Sequence, residues 1–417
     1  MQKFSVKGNI IFTKDMDKFE IHDDSYLNIE NGKIISISKE NLFKEVVSYE
    51  GNLIIPGFTD THLHAPQINN IGLGYDEELL SWLEKYTFPE EAKYKNKDFA
   101  KKSYSNFVNR LLENGTTSSV IFGTIHKDTT LLLAEMMEEK GLKAYIGKVN
   151  MNRNSPDFYI EETEESVEDT EEFIKALASF ENIKPIITPR FVPSCTEVLM
   201  NKLGDLAEKY DLKIQSHLSE SRSEIDWVKD LHPECKNYLD VYVKYSLARN
   251  NLNTVMAHCV WLTDEEKEVM KDKEILVSHC PYSNANLTSG IAPVRELISK
   301  GINVSLGSDV SGGSEMFMGR IISLAQMLSK MHYVHIDETQ KPLTISELFY
   351  MATKGGGKFF GNVGSFEEGY SADFLVINDK SIQDINSRTS KERLERFLFT
   401  GDKSNISKVY VNGRRIR

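Results

Sequence analysis

Cysteine is scarce in this 417-residue sequence. The four cysteines show no Cys-x-x-Cys spacing and are too few for the disulfide framework of a small secreted domain; they are Cys195, Cys235, Cys259 and Cys280. No apolar run approaches the ~20 residues of a membrane span, and the first residues lack the apolar core of a signal peptide. We therefore expect a soluble protein with reduced thiols that works in the cytoplasm.

Basic residues are also fewer than acidic ones. The sequence has 50 lysines and arginines against 62 aspartates and glutamates, a formal net charge of −12 at pH 7. Nucleic-acid backbones and anionic membranes favour basic surfaces, so we expect neither as a partner. With 40% hydrophobic residues, the chain is long enough for one barrel-sized domain with an appendage, or for two or three smaller domains.

The segment Leu53–Gln67 reads as a short apolar strand that ends in His62 and His64. Side chains alternate along a strand, so two residues two positions apart point to the same face. Both imidazoles can therefore approach one Zn²⁺ at about 2.0–2.1 Å. A lone His-x-His also occurs by chance, and this motif alone fits a polar strand end equally well.

A regular alternation of helix and strand follows this segment. Together with Leu53–Asp60, apolar runs of strand length give eight strands, the others being Thr117–Gly123, Lys143–Asn150, Lys184–Arg190, Lys213–His217, Thr254–His258, Glu274–His279 and Asn303–Ser308. Each of these is preceded by a stretch with helix character. Eight such repeats over about 310 residues are typical of a (β/α)₈ TIM-type barrel.

Both ends of the chain carry strand patterns of a different kind. Residues 1–52 contain short alternating segments, and Asn31-Gly32 is a strong hairpin signal. The tail returns to strands at Asp373–Ile377 and Lys408–Val411, followed by Asn412-Gly413 as a second hairpin turn. We therefore predict an α/β fold with a barrel in residues 55–362. Residues 1–54 and 363–417 are expected to form one small composite β-sandwich domain.

Active sites of such barrels lie at the C-terminal ends of the strands. The polar residues at these ends are His62 and His64 after strand 1, Arg190 after strand 4, His217 with Glu220 after strand 5, His258 after strand 6, His279 after strand 7 and Asp309 after strand 8. Any one of these histidines would more often be structural. Their joint position on one rim favours a functional site.

Three histidines and a carboxylate suit a catalytic Zn²⁺ that keeps one position for water and lowers the pKa of that water towards 7. Glu220 lies just past strand 5 and could carry protons between this water and a substrate nitrogen. A glutamate at the start of a helix is common, so the position of Glu220 alone does not decide its role.

Several motifs resemble the amidohydrolase superfamily, in its branch of deaminases that act on amino-heterocycles. They are Phe58–His64, His217–Glu220, Ala257-His258, Ser278–Pro281, Gly307–Asp309 and, in the tail, Gly364–Asp373. Segments more specific to one enzyme of that branch are His64–Gln67, Trp82–Pro89, Phe122–His126, Gly147–Met151 and Thr188–Thr196. The resemblance covers nearly the whole chain.

The resemblance implies one zinc ion per subunit, although histidine and carboxylate ligands also suit iron. The implied ligands are His62, His64, His217 and Asp309, with His258 orienting the bound water or serving as a further ligand. Some members of the superfamily bind two metals bridged by a carboxylated lysine on strand 4. The end of strand 4 has no lysine here and Lys148 is on strand 3, so we expect a single metal and a structural Lys148.

The implied activity is hydrolytic deamination of guanine to xanthine and ammonia by a zinc-bound hydroxide, a step of purine catabolism. The catalytic residues would be Glu220, His258 and Asp309, and the substrate would be bound by Gln67, Arg190, Phe191, His217 and His279. The amide and the guanidinium suit the carbonyl oxygen and ring nitrogens of a purine. A capping glutamine, a surface arginine and a core phenylalanine are the structural alternatives.

Other functions stay open at this point. A deaminase of another amino-purine, a pyrimidine or an aminotriazine would keep the chemistry and change the ring. A non-catalytic assembly protein is a rival from another class, because some barrels of this superfamily have lost their metal ligands. The resemblance also implies a homodimer, and the segment Asp76–Ala92 could either cover the pocket or form a dimer contact.

Overall fold

The structure is a computed structural model that describes residues 3–417. Its strands are β1 (Lys3–Thr13), β2 (Phe19–Glu30), β3 (Lys33–Ser38), β4 (Val46–Pro56), β5 (Phe58–His64), β6 (Thr116–Phe122), β7 (Lys143–Gly147), β8 (Val149–Asn150), β9 (Ile183–Pro185), β10 (Thr188–Pro189), β11 (Ile214–Leu218), β12 (Thr254–His258), β13 (Leu276–His279), β14 (Asn303–Leu306), β15 (Phe374–Ile377), β16 (Ile406–Val411) and β17 (Arg414–Arg415).

The α-helices are α1 (Leu79–Trp82), α2 (Phe88–Glu91), α3 (Lys97–Glu113), α4 (Lys127–Lys140), α5 (Thr163–Ala176), α6 (Glu197–Lys209), α7 (Arg222–Leu231), α8 (Tyr238–Lys244), α9 (Asp264–Asp272), α10 (Pro281–Asn286), α11 (Val294–Ser299), α12 (Met318–His335), α13 (Ile345–Tyr350) and α14 (Ser390–Thr400). Across residues 3–417, every helix is too short or too polar to span a bilayer.

Strands from both ends of the chain share one seven-stranded sheet in the order β17-β16-β15-β4-β1-β2-β3. The predicted hairpin turn joins β2 to β3, and its residues Asn31 and Gly32 have φ angles of 51° and 75°. A two-residue hairpin turn of this type requires such positive φ angles. The composite β-domain of the predicted fold is confirmed, while its limits at residues 54 and 362 stay a prediction.

The other long strands form two four-stranded parallel sheets, β5-β6-β7-β9 and β11-β12-β13-β14. Backbone hydrogen bonds join these sheets at both junctions. At one junction, Ile187 N donates to Lys213 O and Gln215 N donates to Ile187 O, each over 3.0 Å. At the other, Asp309 N donates to His62 O over 2.8 Å. The eight strands therefore close into the predicted (β/α)₈ barrel.

The predicted first strand, Leu53–Asp60, spans two strands of the structure. Its first half belongs to β4 of the composite sheet, and its second half belongs to β5 of the barrel. Gly57 lies between them, where a Cβ atom would clash with the side chain of Thr117. The residues on both sides of Gly57 are apolar, because each half packs into a core, and the sequence therefore resembles a single strand.

The third and fourth barrel strands are each interrupted. The predicted strand Lys143–Asn150 appears as β7 and the short β8, and Lys184–Arg190 appears as β9 and the short β10. The two short strands pair in parallel, with Val149 opposite Thr188. Arg190 N then donates to Asn150 O over 3.1 Å, which fixes the backbone of Arg190 at the rim.

Candidate active site

Five side chains converge at the C-terminal rim of the barrel, and we call them the metal cluster. They are His62 and His64 of β5, His217 of β11, His258 of β12 and Asp309, which follows β14. His64 Nε2 lies 3.2 Å from His217 Nε2. Asp309 Oδ1 lies 3.2 Å from His62 Nε2 and 3.5 Å from His64 Nε2. His217 is partly buried and the other four are buried.

These spacings fit ligands around one ion. Ligand atoms about 2.0–2.1 Å from a tetrahedral metal ion lie about 3.3–3.4 Å from one another. Within the described residues, His62 Nε2 and His258 Nε2 are buried and have no hydrogen-bond partner. Buried polar atoms normally have one, so these two nitrogens point to a missing ligand. The structure brings all four predicted ligands together, and His258 Nε2 lies 3.7 Å from Asp309 Oδ2.

Hydrogen bonds from outside the metal cluster orient two of its rings. His217 Nδ1 lies 2.6 Å from the carbonyl oxygen of Arg190, and His258 Nδ1 lies 2.9 Å from Asn284 Oδ1. Both partners are acceptors, so each Nδ1 carries the proton and donates it. Each ring therefore turns its Nε2 towards the centre of the cluster, where this atom would bind a metal ion. Burial lowers the pKa of His258, but the nearby carboxylates of Glu220 and Asp309 outweigh burial and raise it.

Burial sets the charges of the metal cluster. It lowers the pKa of His64 and of His217 well below the usual value, so both rings are neutral at pH 7. Burial alone would favour neutral Asp309, but the neighbouring imidazoles, His62 first, outweigh it and lower the pKa of Asp309 to about 2. The neutral rings of His64 and His217 and the ionised carboxylate of Asp309 are donors of the kind that a divalent ion needs.

Glu220 lies beside the metal cluster, two residues after β11. Its Oε2 is 3.3 Å from His258 Nε2, and Ser289 Oγ donates to its Oε1 over 2.9 Å. Burial raises the pKa of Glu220 to about 7. A carboxyl group with such a pKa can both hold and release a proton near neutral pH, as a general acid or base must.

A cavity opens in front of the metal cluster. Its lining includes Glu220 and four members of the cluster, together with Gln67, Arg190 and Phe191. Leu79, Trp82 and Leu83 also line it, and they come from the predicted segment Asp76–Ala92. The structure therefore places part of this segment over the pocket.

His279 is the predicted substrate residue that the structure does not bring to this cavity. It is buried at the end of β13, and burial lowers its pKa to about 3. It lines a different cavity, together with Ile291 and Arg295. Its part in substrate binding therefore stays a prediction with no geometric support.

Lys148 lies away from the metal cluster, between β7 and β8. It is fully buried and forms an ion pair with the carboxylate of Glu161. Burial raises the pKa of Glu161 although the charge of Lys148 opposes this change. The ion pair of Lys148 with Glu161 therefore connects the third barrel strand to the loop before α5.

Three residues that contact the site were missed by the sequence reasoning. Glu91 binds Gln67 and Arg190, Asn284 binds His258, and Ser289 binds Glu220. Only Glu91 had a signal, because it lies within Asp76–Ala92, the segment expected to cover the pocket or to form a dimer contact. Asn284 and Ser289 lie in a polar stretch after strand 7 whose composition suggests no function.

The fold and the metal cluster together define a barrel hydrolase, and the chain belongs to the amidohydrolase family, whose sequence pattern matches residues 53–416. The resemblance and the fold predicted from the sequence are thereby confirmed.

Within this family, the chain is similar to guanine deaminases. The guanine deaminase of Dictyostelium discoideum is 39% identical over 99% of this chain and 97% of its own. That of Escherichia coli K12 is 33% identical over 94% of this chain and 91% of its own. A crystal structure of guanine deaminase from C. acetobutylicum, with guanine bound in the active site, is 47% identical with a TM-score of 0.97, and both chains are fully covered.

Proposed function

We propose that this chain deaminates guanine by hydrolysis, giving xanthine and ammonia. The observation that carries the proposal is that four members of the metal cluster, Glu220 and the pair Gln67 and Arg190 line one cavity. The guanine deaminases to which the chain is similar match it over nearly its whole length. The alternative of a non-catalytic assembly protein is disfavoured, because such a protein has no need for a buried cluster of imidazole nitrogens that find no partner in residues 3–417.

His62, His64, His217 and Asp309 would hold the metal ion, and His258 has its Nε2 turned to the same point. We propose zinc, one ion per chain, with iron as the alternative that the same ligands accept. When bound, the ion lowers the pKa of a water molecule towards 7 and so supplies the nucleophile at neutral pH.

Asp309 and Glu220 move the protons of the reaction. Asp309 takes a proton from the attacking water as the water oxygen bonds to C2, the carbon that carries the amino group. Glu220 gives its proton to the ring nitrogen beside C2, which makes C2 more electrophilic. The C2–N bond then breaks, the amino group leaves as ammonia with the proton from Asp309, and the hydroxyl proton on C2 returns to Glu220.

The substrate would be held by three residues of the cavity that lie outside the metal cluster. Gln67 and Arg190 offer hydrogen bonds to the carbonyl oxygen and ring nitrogens of the purine. Phe191 is 5% exposed and packs against Trp227, with ring centroids 6.2 Å apart. Because Phe191 also lines the cavity, its ring would contact the flat face of a base. Trp82 and Leu79 would exclude water from the reacting carbon.

Ultraviolet assays of a substrate panel test the proposal. The metal-loaded protein is offered guanine, adenine, cytosine and an aminotriazine, and kcat/KM is measured for each. We expect guanine to be the best substrate. A higher kcat/KM for adenine, cytosine or the triazine would make that compound the proposed substrate in place of guanine. No turnover of any of the four compounds would support the assembly protein.

We also propose a homodimer in the cytoplasm that acts in purine catabolism. This proposal rests on the resemblance, and the four cysteines, which are free, suit a reducing compartment. Light scattering of the purified protein tests the dimer, with a mass of twice 47.6 kDa as the expected result.

A further inference from the structure

Glu91, the last residue of α2, is fully buried beside the cavity and accepts four hydrogen bonds. Arg190 donates two of them, from Nη1 to Oε2 over 2.7 Å and from Nη2 to Oε1 over 3.2 Å. Gln67 Nε2 donates to Oε1 over 2.8 Å, and Tyr159 Oη donates to Oε2 over 2.8 Å. We call Glu91 and these three partners the Glu91 clamp.

The clamp fixes which way the amide of Gln67 points. While Gln67 Nε2 donates to Glu91, Gln67 Oε1 accepts the backbone N–H of Ser311 over 2.9 Å. A flipped amide would lose both hydrogen bonds, so the amide has one orientation. An amide nitrogen has two N–H groups, and the second N–H of Gln67 is therefore left for a ligand.

The clamp also fixes the guanidinium of Arg190. Its centre lies 5.0 Å from the centre of the Phe88 ring, and Glu91 holds its edge with two parallel hydrogen bonds. Burial lowers the pKa of Arg190, but the carboxylate of Glu91 outweighs this effect and the pKa is raised, so the group stays charged. Glu91 uses two of the five N–H donors, which leaves three in fixed directions.

We propose that Glu91 is a specificity-determining positioning residue, which holds Gln67 and Arg190 so that they present donors to the ring. The inference rests on the proposed deamination of guanine. A purine with a carbonyl oxygen at C6 accepts these donors. A purine with an amino group at C6 turns N–H donors towards the N–H donors of Gln67 and Arg190. This leaves buried N–H groups unpaired and weakens the binding of that purine.

A single substitution tests this role with two substrates that carry the same amino group at C2. Glu91→Gln keeps the shape of the side chain and removes its charge. We expect kcat/KM for guanine to fall about 100-fold, mainly through KM, because the two binding groups lose their fixed positions. The ratio of kcat/KM for guanine to that for 2,6-diaminopurine should fall at least about tenfold, because Gln67 can then turn its oxygen to the ring.

Glu90→Gln is the matched control. Glu90 is the neighbouring buried glutamate, but its carboxylate binds Asn69 and Lys93 instead of residues that line the cavity. We expect this variant to keep the wild-type ratio of the two substrates. Tyr159→Phe removes one hydrogen bond from the clamp without changing a charge, and should raise KM for guanine about fivefold with a smaller change in the ratio.

The outcomes separate the two proposals. A wild-type protein that does not deaminate guanine overturns the proposed function. A wild-type protein that does so, with a Glu91→Gln variant that keeps the wild-type substrate ratio and metal content, overturns the role of Glu91 alone. If Glu91→Gln does not fold, Tyr159→Phe decides: a lowered ratio supports the role of Glu91, and an unchanged ratio overturns it.

Discussion

The metal cluster and the Glu91 clamp differ in how their polar groups are satisfied. In the metal cluster, nitrogens and a carboxylate oxygen approach one another to 3.2 Å, and three buried nitrogens have no hydrogen-bond partner among residues 3–417. In the Glu91 clamp, both carboxylate oxygens have two donors each. Buried polar groups without partners are unfavourable, so the metal cluster needs a ligand, whereas the carboxylate of the Glu91 clamp is already satisfied by the protein.

This difference separates chemistry from recognition. A change in the metal cluster should alter the metal content or the rate of the chemical step. A change in the Glu91 clamp should alter which ring is accepted and leave the metal in place. Three substitutions at or beside the metal cluster, together with Glu91→Gln in the clamp, test whether chemistry and recognition are separate in this way.

Glu220→Gln should have the largest effect. The amide cannot transfer the proton that Glu220 carries, so we expect kcat for guanine to fall about 10³-fold. Glu220 is not among the proposed ligands, so elemental analysis should find the metal content unchanged. A variant with near-normal turnover would remove Glu220 from the mechanism, and one that loses its metal would make Glu220 part of the metal site.

Asn284→Ala should have an intermediate effect. Asn284 orients the ring of His258, and the loss of such an outer partner weakens metal binding about 10–100-fold. Competition with a chelator measures this change. Asn286→Ala is the control, because the amide of Asn286 donates to the carbonyl of Gly312. Equal metal affinity in the two variants would show that Asn284 has no such role.

Ser289→Ala should have the smallest effect. Ser289 Oγ donates a single hydrogen bond to Glu220, so we expect kcat to fall about fivefold with KM unchanged. Steady-state kinetics with guanine measure both constants. A change in KM alone would place Ser289 with the recognition groups and so weaken the division between the metal cluster and the Glu91 clamp.

The metal cluster could be predicted from the sequence because the barrel turns positions along the chain into positions on one rim. His62 and Asp309 are far apart in sequence, yet His62 lies near the end of β5 and Asp309 lies three residues after β14, and neighbouring strands end at the same rim. The strand ends were therefore sufficient to group these residues without any knowledge of the loops.

Glu91 could not be placed in the same way. It lies in a helical segment between the first two barrel strands, and its contacts with Arg190 and Tyr159 depend on how that segment folds back over the cavity. Asn284 likewise reaches His258 from the stretch after strand 7. The boundary between β4 and β5 was missed for a related reason, since both strands are apolar and only packing divides them.

The most direct test of the metal cluster is the metal content of the purified protein, measured together with guanine turnover before and after treatment with a chelator. We expect one metal ion per chain, turnover at background once the ion is removed, and recovery when zinc is added. Full turnover of guanine by metal-free protein would contradict the account.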